Sequence, residues 1–360
     1  MFPKTILPWL LAGSWHARLV ALSVAGCVAA LLVSFVFRAP PEPVSPTATV
    51  LSLQCSVRAM AYSPDGKWLA TAGGRLESVG ELKLWDPTQG TQVASLTGYQ
   101  RSIRGIAFSP CGKLLATISY DRTLRLWNLT DAPREEHVCR LNAFPSDVVF
   151  SRDGTKIAVS SDDRSIRLFD THTGRLELQF DCQCPSHTCM AFSPDDRQLA
   201  TWSYRQPFID LWDTHTGQRQ DRLPRPEDAP MEVKEFESWL LAWSPRGPTL
   251  FTALLGEIDG WEATAGEVRR LVQPDRSWLG AMALSSDGKL LAVGDSLGMI
   301  HLWDIENGTR LLAIAAREDP VTALALSPDG SQVACAGHNR TVVLRKFQNA
   351  RAVAELFNGR

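Results

Sequence analysis

Two short stretches carry side chains of types that do chemistry. Gly294-Asp295-Ser296-Leu297-Gly298 fits the G-x-S-x-G pattern that offers a serine hydroxyl for attack on an ester, and its first four residues spell a Gly-Asp-Ser-Leu hydrolytic motif. Cys182, Cys184, His187 and Cys189 fall within eight residues and supply the thiol and imidazole donors that zinc prefers. Each stretch lacks the backbone its chemistry needs. A nucleophilic serine of this kind stands on a strand, a sharp turn and then a helix. Here Met299-Ile300-His301-Leu302-Trp303 follows, alternating as a strand does. Structural zinc is normally held by cysteines with two to four residues between them, and Cys182 and Cys184 have one. No phosphate loop, dinucleotide fingerprint, zincin helix or EF-hand loop occurs. The sequence therefore predicts no catalytic residue, no metal and no cofactor.

The 360 residues hold 37 basic and 39 acidic side chains, a net charge of -2 that gives no electrostatic case for nucleic-acid binding. Eight cysteines are too few for a disulfide scaffold. Asn128-Leu129-Thr130, Asn307-Gly308-Thr309 and Asn339-Arg340-Thr341 match the glycosylation sequon and matter only in a secretory pathway.

The N-terminal 40 residues contain Lys4, Arg18 and Arg38 and no acid. Within them 19–37 is an apolar run, long enough as a helix to cross roughly 28 Å of hydrocarbon. A cleaved signal would have a shorter apolar run and small residues at its end, whereas this one ends Phe35-Val36-Phe37-Arg38. A lipoprotein signal at Val24-Ala25-Gly26-Cys27 would be followed by a polar tether, but the apolar run continues. The expectation is an N-terminal flank at 1–18, one transmembrane helix at 19–37 and a proline-rich linker at 38–46. Lys4, Arg18 and the terminal amine before the span favour a cytoplasmic N-terminus, with the rest outside the cytoplasm.

From residue 47 to the end the sequence repeats. Turns of the Ser-Pro-Asp-Gly type start at Ser63, Ser109, Ser151, Ser193, Ser244, Ser285 and Ser327. In fixed phase with them come Trp85, Trp127, Phe169, Trp212, Trp261, Trp303 and Arg345. Proline presets φ, Asp bonds nearby amides and Gly accepts positive φ, so each such turn joins two strands. Short apolar runs flank it, and stretches such as Leu124-Arg125-Leu126-Trp127 then alternate with period two. Each unit of about 42 residues thus reads as a four-stranded antiparallel meander. The repeats run at about 55–98, 99–142, 143–181, 182–229, 230–275, 276–319 and 320–360. Cys189 falls on a small-residue position of its repeat, where others have Ala59, Gly105, Ala281 and Ala323.

Leu84-Trp85-Asp86, Leu211-Trp212-Asp213 and Leu302-Trp303-Asp304, with the Ser-Pro-Asp-Gly turns, resemble the WD-repeat family over about residues 50–357. The resemblance implies an all-β fold, a seven-bladed β-propeller of four-stranded antiparallel blades, in which the Trp-series residues are repeat anchors. In that family the N-terminal strand often completes the last blade, and 47–53 is suited to it. Residues 352–357 also read as a strand in phase with the seventh repeat, and the sequence favours these for closure. The Gly-His dipeptide before the first strand is missing, with Gly98-Tyr99 its nearest remnant. The turn Asp between strands two and three survives as Asp121 and Asp163, with Asn339 in the last repeat, and repeats four to six lack it. The buried polar network usual in such blades is therefore expected to be mostly absent.

In such a meander the loops after strands one and three share one face, and those after strands two and four share the other. The first set is tight and regular. The second holds the insertion 73–80 and the proline-acid stretch 224–237, and variable loops on a rigid frame are where recognition concentrates. That face gathers Tyr99, Arg101, Tyr120, Arg122, Arg164, Tyr204, Arg205, His338 and Arg340, and rings and arginines are favoured interface anchors. Arg122, Arg164 and Arg340 occupy one repeat position. The leading reading is a non-catalytic, membrane-anchored scaffold whose loop face binds a protein or peptide. The alternatives are a propeller-based hydrolase with its site on the loop face or axis, and a purely structural module that oligomerises.

Overall fold

Alternation and turn spacing produce strands throughout the part of the chain that the structure, a computed structural model, describes: residues 49–75, 77–183, 188–203, 206, 208–224, 240–254, 257–262, 267–272 and 279–347. The proposed flank, span and linker lie outside the described residues, as do Tyr204 and Arg205. Among the described residues no helix is long and apolar enough to cross a membrane.

Seven sheets of four antiparallel strands form, over residues 57–96, 103–140, 145–181, 189–224, 240–272, 279–315 and 323–346. The last range supplies only three strands. Its fourth is Thr49–Ser52, which pairs with Thr341–Lys346 in the register Thr49↔Leu344 to Ser52↔Thr341. The expectation that 352–357 would close blade seven is thus corrected, for the N-terminal strand takes that edge. It brings apolar side chains that fit there: Leu51 and Leu53 are buried with Val342, Leu344 and Trp85.

Burial follows position in the blade. The second and third strands of blade two, Leu114–Ser119 and Thr123–Asn128, are buried on both faces, while the fourth, Arg134–Arg140, is mostly exposed. A lone four-stranded sheet could not bury both faces of its middle strands, but neighbours on either side do. There are accordingly seven apolar clusters, one at each junction between blades. The six aromatic residues of the Trp series each pack onto the preceding blade, as Trp127 does with Leu82 and Leu84, and Trp85 with Ala334 and Leu344.

The turns are linked around the ring as well. Serine and aspartate close five of them, as where Ser63 Oγ donates to Asp65 at 2.6 Å, while Cys111 and Arg246 stand in the aspartate position of the other two. The Ser193 hydroxyl bond holds Asp195 below the ordinary carboxylate range. The Pro328 ring lies 3.6 Å from where a side chain on Gly66 would begin, and Gly112 meets Pro64 likewise. Between blades three and four both partners differ: Arg152 stands for proline and Asp196 for glycine. The Asp196 carboxylate accepts the amides of Arg152 at 2.6 Å and Asp153 at 2.8 Å. A proline at 152 would have no amide to give.

The buried polar links are more numerous than the missing Gly-His pair suggests. Eight residues after the turn serine stands Thr71, Thr117, Thr201 or Thr252. Trp85 donates to Thr71 at 2.9 Å, Trp212 to Thr201 at 2.9 Å and Trp261 to Thr252 at 3.0 Å. In blade two the Tyr99 hydroxyl is interposed, accepting from Trp127 at 2.8 Å and bonding Thr117 at 2.7 Å. In blade three both polar ends are gone together, Phe169 being matched with Val159. Blade six breaks the rule. Val293 takes the threonine position and the buried Trp303 indole N–H has no acceptor among the described residues. Val293→Thr is expected to raise the urea midpoint, adding about 0.5–1.5 kcal/mol, and Thr201→Val to cost about 1–3 kcal/mol. A Val293→Thr protein no more stable than the parent would refute the pairing.

Blade six also replaces its missing turn Asp from two positions earlier. Asp295 Oδ1 accepts the amides of Leu297 and Met299, both at 2.9 Å, and Oδ2 bonds His301 Nε2 at 2.9 Å. Asp121 caps its own turn in the same way, accepting the Thr123 amide at 3.1 Å.

Candidate functional site

Ser296 lies in the turn between the strands Leu290–Asp295 and Met299–Asp304, with no helix after it. The Asp295–His301 pair is buried and engaged in that turn, and His301 Nδ1 faces Arg310 Nη1 at 3.5 Å. Cys182 donates to the Arg164 carbonyl at 3.1 Å, and burial pushes the Cys189 thiol up. Cys184 and His187 lie outside the described residues. Among the described residues no three His, Cys, Asp or Glu side chains group as a metal would need.

The variable-loop face is organised by its turns. In blade two Arg122 N donates to Ser119 O at 3.0 Å, and Arg122 itself sits in the left-handed region at φ 64°. Arg164 (φ 64°) and Arg340 (φ 62°) repeat this in blades three and seven. In blade six the same position is Gly298, at φ 76°. A side chain in that conformation costs about 1–2 kcal/mol relative to glycine. All three arginines are exposed, and none makes an ion pair among the described residues.

A second set of arginines comes from the innermost strands. In Val57–Tyr62 and Ile103–Phe108 the pairing with the next strand slips between Val57 and Ala59, and between Ile103 and Gly105. Arg58 and Arg104 are the extra residues of these bulges, and a bulge re-aims its side chain off the regular pleat. Both guanidiniums lie over the Tyr120 ring, Arg58 at 5.9 Å and Arg104 at 5.7 Å from its centre. Arg104 also donates to the Tyr120 hydroxyl at 2.6 Å and to the Ser146 carbonyl at 2.9 Å. Tyr120 meets Phe144 at 6.2 Å, and Arg122 lies 5.8 Å from the Phe144 ring centre. Phe144 is 38% exposed. The arrangement alternates cations and rings across blades one to three, each pairing favourable through the ring quadrupole.

Among the residues singled out in the sequence, Tyr120 and Arg122 belong to this cluster. Arg101 is exposed beside it at the entry to blade two, its carbonyl accepting from Ser119 at 3.1 Å. Arg164, His338 and Arg340 are exposed on the same loop set in blades three and seven. Tyr99 is corrected: it is 3% exposed, and its hydroxyl serves the Trp127–Thr117 link. Arg58, Arg104 and Phe144 were not singled out. The signal for the first two is a charge five residues before the turn serine, inside an otherwise apolar run.

The acids nearby are already occupied. Asp121 accepts from Thr123 and from the Gln100 amide at 3.0 Å. Asp162 accepts from Ser146 Oγ at 3.1 Å. Asp147 accepts the amides of Val148 and Met190, both at 2.8 Å, and burial pushes its carboxyl up against the pull of Arg104.

Known proteins resemble parts of this sequence. The chain is 29% identical over 170 residues to the angio-associated migratory cell protein of Homo sapiens, covering 44% of this chain and 35% of that one. It is 25% identical over 195 residues to autophagy-related protein 16 of Arabidopsis thaliana, 53% of this chain and 36% of the other. With WD repeat-containing protein SL1-17 of Schistosoma mansoni it shares 24% over 243 residues, 66% of this chain and 62% of the other. The match thus spans only about a third of the length of the first two relatives. The WD40 family model, described as WD domain, G-beta repeat, matches residues 47–86, 90–128, 136–170, 267–304 and 308–345. Its first segment includes the strand that closes blade seven, and the stretch it leaves unmatched holds blade four and most of blade five, whose turn serines are spaced most irregularly. With seven blades and more than half its length matched, the chain belongs to the WD40 family of β-propeller repeats.

Proposed function

We propose that this protein is a non-catalytic interaction scaffold, held at a membrane through residues 19–37, whose variable-loop face binds a protein partner. One observation carries the reading of the face. Arg122, Arg164 and Arg340 hold a left-handed backbone at the position where blade six uses glycine, and their side chains are exposed and make no ion pair among the described residues. A turn needs only glycine there, so the arginine side chains serve something beyond the turn. WD-repeat relatives that include named subunits of assemblies, such as THO complex subunit 3 of Arabidopsis thaliana, are consistent with this. The membrane attachment rests on the apolar run, and the charge before it supports a propeller outside the cytoplasm.

The test uses the full-length chain in neutral detergent as bait, beside an Arg122→Gln, Arg164→Gln, Arg340→Gln variant. Proteins held by the first and lost by the second, and rebound after purification, are the expected result. Identical sets on both baits, or self-association alone, would overturn the scaffold reading. Protease shaving of intact cells checks the orientation: digestion of the propeller is expected, and its protection would reverse the assignment.

A further inference from the structure

We infer that the surface around Tyr120 is a docking site for an acidic peptide segment, with Arg58, Arg104 and Arg122 as its anion-binding groups. The inference rests on the scaffold reading and adds the chemistry of the partner. Three guanidiniums from two blades and one turn converge on two touching rings. Two of them share a single ring. Like charges gathered in this way repel; nearby, Asp121 bonds Thr123 and Gln100, Asp162 bonds Ser146, and Asp147, bonded to two amides, also interacts electrostatically with Arg104. Arg58 and Arg122 have no ion pair among the described residues, and Arg101 beside them has none either. An anionic group entering here meets several donors already held in place.

The placement is built rather than incidental. Arg58 and Arg104 are delivered by the same irregularity at the same repeat position, each an extra residue on the innermost strand. Their planar forks are fixed against Tyr120, so less side-chain freedom is lost on binding. Guanidinium groups recognise carboxylate and phosphate oxygens bidentately. The exposed Phe144 adds an apolar surface beside the charge. A segment that presents Asp, Glu or phosphorylated Ser next to an apolar side chain fits this combination. A lone inorganic anion would leave Phe144 uncovered.

The test measures binding of fluorescently labelled peptides to the full-length protein in neutral detergent. Three peptides of one sequence are compared, carrying four Glu, four Gln, or two phosphoserines around a central Leu. The Glu and phosphoserine peptides are expected to bind, and their ratio says which anion source is preferred. The Gln peptide is expected to bind at least tenfold more weakly. Arg58→Gln, Arg104→Gln, Arg122→Gln together should weaken the Glu peptide tenfold or more. Arg134→Gln, Arg140→Gln, Arg175→Gln, which removes the same charge from exposed positions at or beside the outer strands of blades two and three, should change it less than twofold. Tyr120→Ala and Phe144→Ala should each weaken it at least threefold with the thermal midpoint within a few degrees of the parent. Equal losses in the two triple variants would reduce the effect to net charge and overturn the site. So would equal binding of Gln and Glu peptides, or binding of phosphatidylserine vesicles by these arginines without any peptide binding. If a partner is still captured through Arg122, Arg164 and Arg340 while no peptide binds, the scaffold stands and the acidic chemistry falls.

Discussion

Removing residues 49–53 is expected to abolish the native fold, whereas removing 352–357 is expected to leave it standing. The first deletion takes away the outer strand of blade seven and with it Leu51 and Leu53 from the junction with blade one. The strand Thr341–Lys346 would then present a bare edge, the arrangement that recruits other chains. It would also uncover Val342, Leu344 and Trp85, each now no more than 5% exposed. A single substitution tests the same junction. Leu51→Asp puts a carboxylate among these side chains, and burying a polar group without a partner costs about 2–7 kcal/mol. That is a large part of the roughly 5–15 kcal/mol by which domains are stable. Urea titration and gel filtration of the three variants read the outcome. If the C-terminal deletion aggregates and the N-terminal one folds, the closure has been assigned to the wrong end.

Arg345→Leu should move stability the other way, by about 1–4 kcal/mol. Arg345 occupies the position held by tryptophan or phenylalanine in the other six blades. It is 8% exposed, and its Nε and Nη2 find no acceptor among the described residues. Arg317, which also lies beside Cys335, is well provided for: it bonds Asp319 at 2.9 Å and the Thr341 carbonyl at 3.0 Å. Cys335 offers Arg345 no counter-charge, because burial pushes its thiol up to about 11 against the pull of both arginines. A buried guanidinium with two of its nitrogens unsatisfied is unfavourable, and replacing buried charge by apolar volume commonly stabilises by about this amount. Arg345→Trp with Cys335→Thr would rebuild the hydrogen-bonded pair of blades one, four and five. A lower melting temperature for Arg345→Leu would mean that the guanidinium has a partner in solution.

Much of the architecture could be read from periodicity. Seven turn serines in phase with seven Trp-series positions specify seven equivalent units, and equivalent units that cannot bury both faces alone must stack. Closure was not legible, because 47–53 and 352–357 both read as short strands and nothing local says which one meets Thr341–Lys346. Only the geometry of the ring decides it. The candidate site was half legible. Arg122 stood out because Arg164 and Arg340 repeat it, while Arg58 and Arg104 were absorbed into apolar runs. What distinguishes them is a bulge, which depends on pairing between strands and leaves no mark in composition. Tyr99 was misplaced for a different reason. Its sequence position is a loop, but its hydroxyl completes a buried hydrogen bond that only the facing Trp127 and Thr117 make necessary.

The closing strand has a consequence for how the molecule is made. Thr49–Ser52 leaves the ribosome before any blade, and its partner Thr341–Lys346 leaves only after the other six blades. At about 5–20 residues per second the interval is roughly 15–60 s. Through that time the nascent chain carries an unmated apolar segment ahead of the blades, while six blades assemble behind it as an open arc. The two ends of that arc are sticky until Thr341–Lys346 emerges, so holdase chaperones are expected to matter most while blade seven is being made.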